Sequence, residues 1–81
     1  MDNYQRIRDL RENNDRTQSE IAEVLHLQRE VYRRYETGQR EIPFNIAIMI
    51  AEYYNISLDY LAGRTNIKEV NKKWKYYYLQ Y

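Results

Sequence analysis

Between Thr17 and Gly38 the chain reads TQSEIAEVLHLQREVYRRYETG, a stretch whose apolar spacing admits two short helices with an abrupt break between them and little else. Thr17 followed three residues later by Glu20 is a capping box, in which each side chain satisfies a backbone N–H left free at a helix start, so a helix is predicted to begin at Gln18. Ile21, Ala22 and Leu25 then recur at helical spacing and give it one apolar face. Ala22 is small, as it must be where two helices joined by a short turn cross steeply and their backbones approach. The break falls at His26 and Leu27. His26 is the only histidine and has no partner for a metal site or an acid–base pair; it reads as a turn residue, because histidine is enriched over most non-glycine residues at positive φ.

The second helix is predicted from Gln28, near its N-cap, to about Thr37, with Gly38 placed to stop it in a left-handed conformation. Glutamine is not a preferred N-cap, so this helix starts weakly unless Leu27 staples onto Tyr32. Val31, Tyr32 and Tyr35 fall on one side of it, and Arg29, Glu30, Arg33 and Arg34 on the other. One side is buried and the other is wet. The pair forms a helix-turn-helix, and three guanidiniums with a carboxylate on its exposed face suit a recognition helix in the major groove of DNA. Arginine can bond guanine bidentately, and a carboxylate can accept from the cytosine amino group. Glu30 admits two readings. It can complement the helix dipole and pair with Arg34 four residues on, or it can meet a cytosine; without one it is repelled by phosphate.

Around this centre the chain resembles the Cro and phage-repressor (XRE-like) helix-turn-helix family. The resemblance runs from about Arg6 to Arg64 and is carried by RIRDLRENND, TQSEIAEVL, YRRYETG, the REIP at Arg40 to Pro43, and AEYYNISLDYLAGRT from Ala51 to Thr65. It implies an all-α, five-helix, lambda-repressor-like domain that binds operator DNA as a dimer. It also implies that Arg11 pairs with Glu36, tying the first helix to the third, where Arg11 alone reads equally well as a solvated surface residue. Gln18 would bond the DNA backbone and buttress Arg29. The sequence departs from the family at three places: Arg16 stands where a leucine is usual, His26 where glycine is usual, and Gln28 where serine or threonine caps. Arg16 either leaves the start of the second helix looser or reaches a phosphate, and Arg40 sits where a loop would graze the DNA backbone.

The remaining elements follow from capping and periodicity. Asn3 to Asn13 reads as the first helix, with Tyr4, Ile7, Leu10 and Arg11 along its stripe, and Asn13 to Arg16 as a turn. Pro43 is placed as the first residue of a fourth helix running to Tyr54. Phe44, Ala47, Ile50, Ala51 and Tyr54 are predicted as its inner face, with Ile46, Met49 and Tyr53 as a second apolar face. Ser57 caps a fifth helix, Ile56 staples toward Leu61, Leu58 and Leu61 complete the core, and Gly63 ends the helix. The expected division is a DNA-binding domain over 1–65 and an extension over 66–81. The extension holds Trp74, Tyr76, Tyr77, Tyr78 and Tyr81, which would cover the Ile46/Met49/Tyr53 face, join two subunits, or stack on single-stranded nucleic acid.

With 81 residues there is room for one domain and a small core. Cysteine is absent, which removes disulfides and thiolate metal sites; no apolar run approaches the roughly 18–20 residues of a membrane span, and the charged start MDNYQRIRDL does not read as a signal peptide. A cytoplasmic protein with no membrane association is expected. The formal net charge is only +1, but residues 28 to 40 place Arg29, Arg33, Arg34 and Arg40 against Glu30 and Glu36, so a balanced total hides a basic face. No nucleophile with a base, no carboxylate pair and no metal cluster is legible, so neither an enzyme nor a cofactor is expected. The leading expectation is a sequence-specific, double-stranded-DNA-binding regulator of transcription, a repressor acting as a homodimer on an inverted-repeat operator. Arg29, Glu30, Arg33 and Arg34 would contact bases, and Gln18, Arg16 and Arg40 phosphate. The alternatives are a restriction–modification controller protein, or an antitoxin or other interaction module that takes a protein partner through the aromatic tail.

Overall fold

The computed structural model describes residues 3–70, within which the chain forms five helices and no strand: α1 (Asn3–Asn13), α2 (Gln18–Val24), α3 (Arg29–Thr37), α4 (Phe44–Tyr54) and α5 (Leu58–Leu61). All five stop in the same way. One or two residues past each end the chain passes through positive φ, at Asp15 (55°), His26 (57°), Gly38 (77°), Asn55 (54°) and Gly63 (80°). The next N–H reaches back to a carbonyl five residues earlier: Arg16 to Arg11, Leu27 to Ala22, Gln39 to Arg34, Ile56 to Ala51 and Arg64 to Asp59. This is the Schellman turn, which satisfies carbonyls the helix leaves open. The chain has only two glycines, so three stops fall to Asp, His and Asn, the residues that best tolerate the left-handed region.

Helix starts are less uniform. Thr17 and Glu20 exchange both capping-box bonds, 3.1 Å from the Glu20 N–H to Thr17 Oγ1 and 2.9 Å from the Thr17 N–H to Glu20 Oε1. Ser57 Oγ accepts from the Tyr60 N–H at 2.9 Å. Gln28 caps α3 without a side-chain bond. Pro43 still has ψ 149°, so it is the N-cap of α4 and Phe44 the first helical residue, one position later than the sequence suggests.

The core draws on every helix: Ile7 and Leu10 from α1, Ile21, Ala22 and Leu25 from α2 and its cap, Tyr32 and Tyr35 from α3, Ile46, Ile50 and Ala51 from α4, and Ile56 and Leu61 around α5. α3 packs on α2 and α1, and α5 on α4 and α1. On α4 the predicted faces are corrected. Phe44 is 72% exposed, whereas Ile46 is buried and Met49 packs against the core, leaving Tyr53 outside. Phe44 is the first helical residue, and side chains tilt toward a helix's N-terminus, so its ring lies off the end of α4 and not over its packed turns. The aromatics expected to cover the second face lie outside the described residues.

Arg6 was not singled out by the sequence, yet it joins α1 to the end of α5. Its Nη1 donates to the carbonyls of Tyr60 and Thr65, both at 2.9 Å, its Nη2 donates to Asn66 Oδ1 at 2.9 Å, and the guanidinium lies 4.3 Å from the Tyr60 ring centroid. Ser57 meets the following segment too, its N–H donating to Lys68 O at 2.8 Å.

Among the described residues the Tyr54 hydroxyl is buried without a hydrogen-bond partner, and the Tyr32 hydroxyl is buried facing the Glu36 carboxylate. Burial, with Tyr53 and Glu36 nearby, pushes the Tyr54 hydroxyl up to about 12; burial and the Glu36 carboxylate push Tyr32 further. Because an unmet buried hydroxyl costs about 1–3 kcal/mol, Tyr54→Phe is expected to leave stability unchanged or raise it in denaturant melts. A loss above about 1 kcal/mol would mean that the hydroxyl has a partner, such as an internal water.

Candidate nucleic-acid interface

α3 is held from three sides. Tyr32 and Tyr35 anchor its inner face, Ala22 is 2% exposed in the core beneath the turn, and Glu36 is buried beside them at 4% exposure. A buried carboxylate needs donors, and Arg11 supplies two: Nε to Glu36 Oε2 at 2.6 Å and Nη2 to Oε1 at 3.1 Å. Gln18 Nε2 adds a third, to Oε1 at 3.2 Å. Burial pushes the Glu36 carboxyl up, but the hydrogen bonds, Arg11's first, outweigh it and hold it below the usual carboxylate range. Side chains of α1, α2 and α3 thus converge on one anion. Arg11 also reaches the Arg16 carbonyl at 2.9 Å, fixing the turn before α2.

The outer face of α3 carries Arg29, Glu30 and Arg34, all exposed, and the half-buried Arg33. Glu30 was expected to pair with Arg34, four residues on. The nearer partner is Arg33, three residues on: Nε donates to Oε2 at 3.0 Å and Nη2 to Oε1 at 2.6 Å, while Arg34 Nε stands 3.6 Å from Oε1. Hydrogen bonding from Arg33 holds the Glu30 carboxyl below its ordinary range. Among the described residues Arg29 and Arg40 enter no ion pair. Arg16 lies 3.5 Å from Glu20, one turn along α2. Gln18, read from the sequence as a backbone contact that also buttresses Arg29, directs an amide hydrogen to Glu36.

Beyond α3, Gly38 turns the chain into the loop bearing Arg40. A side chain there would be strained by φ +77° and would also meet the Tyr4 ring, 3.2 Å from where its Cβ would stand. The described residues contain no cluster of three or more His, Cys, Asp or Glu placed to hold a metal ion, and no helix among them is long and apolar enough to cross a membrane.

Two short helices at a fixed angle, the second offering a rigid basic face, define a helix-turn-helix protein. Comparison with known proteins agrees: the family model described as Helix-turn-helix matches residues 7–61, and the chain belongs to that family, in its XRE-like branch. It is 31% identical over 62 residues to the uncharacterized HTH-type transcriptional regulator YobD of Bacillus subtilis (strain 168), a match covering 76% of this chain and 55% of that relative. The chain thus spans little more than half the length of the relative. No solved structure matches it.

Proposed function

We propose that the chain is a sequence-specific regulator of transcription that binds double-stranded DNA as a homodimer and represses by occluding polymerase. Arg29, Glu30, Arg33 and Arg34 face the major groove, and Gln18, Arg16 and Arg40 meet the phosphates on either side. The observation that carries this is the outer face of α3, with three guanidiniums on a helix that the buried Arg11–Glu36 pair and two buried tyrosines hold rigid. A base-reading surface needs that rigidity, because hydrogen bonds to base edges discriminate only when their donors are held in place. Two copies related by a two-fold axis place their recognition helices about 34–36 Å apart, one turn of the duplex.

Selection from a random duplex pool is therefore expected to enrich an inverted repeat with half-site centres one helical turn apart, and sedimentation of the complex to show two chains per site. Enrichment of no sequence, or of a single unrepeated half-site bound by one chain, would overturn the specific or the dimeric part of this function respectively.

A further inference from the structure

We propose that Glu30 acts through Arg33, locking its guanidinium so that one edge is presented to a guanine, and does not itself read a base. This rests on the DNA-binding function above. A guanidinium offers five N–H donors along three edges. Arg33 gives its Nε–H and one Nη2–H to the two oxygens of Glu30, at 3.0 and 2.6 Å, which occupies the side edge completely. The remaining Nη2–H and the Nη1–H beside it form the end edge, a parallel donor pair of the kind that guanine O6 and N7 accept. An arginine that reads a base must otherwise lose several rotamers on binding; one already clamped by a neighbour on the same rigid helix loses fewer.

The same geometry argues against Glu30 as a cytosine reader. Both its oxygens are directed at Arg33, and Arg34 stands 3.6 Å from one of them, so a cytosine amino group would have to compete with two cations for the carboxylate. Pairing also answers the objection that an acid on this face is repelled by phosphate, since the charge is already met. Arg29 has no carboxylate partner among the described residues and so lacks this restraint.

The test uses the full chain in selections from a random duplex pool, comparing wild type with Glu30→Ala, Arg33→Ala and the double substitution. Arg33→Ala is expected to abolish preference at one G·C pair, a loss of about 5- to 150-fold. Glu30→Ala is expected to weaken preference at that same pair, with the double substitution no worse there than Arg33→Ala, while affinity for unrelated duplex rises because an anion has left a phosphate-facing surface. In the free protein, the Arg33 Nε–H resonance should be protected from exchange in wild type and lose that protection in Glu30→Ala, with unchanged melting. Loss of preference at a different base pair in Glu30→Ala would show that Glu30 reads its own base, and unaltered preferences or an unprotected wild-type Nε–H would show that it clamps nothing. If wild type enriches no sequence, the DNA-binding function fails and the clamp's purpose with it, an outcome distinct from a shifted base position.

Discussion

Replacing either Arg11 or Glu36 by alanine is expected to destabilise the domain by about 3–5 kcal/mol, because each substitution strands the other charge at a largely buried site. For a domain of this size that lowers Tm by more than about 12 °C. The double substitution should cost much less than the sum, since the second removes a charge the first left unmet. The pH dependence gives an independent check. Burial pushes the Glu36 carboxyl up, and the hydrogen bonds, Arg11's first and then those of Tyr32 and Gln18, more than reverse this, so its folded value lies below its unfolded one. Its contribution is present above the unfolded value of about 4.3 and is lost as pH falls through the folded value. In Arg11→Ala the largest opposing bond is gone, so the folded value is expected to move up toward or past the unfolded one, and the acid-side loss of stability to shrink or reverse. Denaturant melts between about pH 3 and pH 7 would read the change. Additive losses below about 1 kcal/mol would reduce the pair to a surface contact.

Binding to duplex DNA is expected to fall steeply with salt. Arg16 and Arg40 from two protomers make four phosphate contacts, for which the log–log slope is about −3.6 and the loss about 150-fold between about 50 and 200 mM. Arg40→Ala should flatten the slope by about 0.9 per protomer and weaken all sequences alike. Arg16→Ala should do less, since Arg16 already stands 3.5 Å from Glu20 and releases less counterion on binding. Affinity indifferent to salt would exclude a phosphate-contacting mode.

Apart from the start of α4, read one residue early, the helix boundaries were legible because their signals are local. Thr17–Glu20, Ser57, Gly38 and Gly63 each act within a few residues of themselves, and the turn at His26 follows from the same backbone preference. What failed was long-range. α4 is apolar nearly all round, so its sequence offers several stripes and cannot say which one its neighbours will cover; hence Phe44 and Ile46 changed places. Arg6 was invisible because two of its acceptors are backbone carbonyls, which every residue has. On the wet face of α3 the arginines and Glu30 were evident, but i+3 and i+4 partners are nearly equivalent by spacing, and only geometry chose Arg33 over Arg34. The bond from Gln18 to Glu36 depends on a carboxylate eighteen residues away, a distance over which spacing carries no signal.

The contact between Tyr4 and Gly38 bears on how the molecule can be labelled. It brings the first turn of α1 against the stop of α3, directly before the loop that carries Arg40. A label on the first turn of α1 is therefore carried beside the proposed phosphate-facing loop, where added cations would enter every salt titration and a bulky fluorophore would crowd the duplex. A probe on Glu52 or Asp59, both exposed on the α4–α5 side, keeps the recognition helix clear.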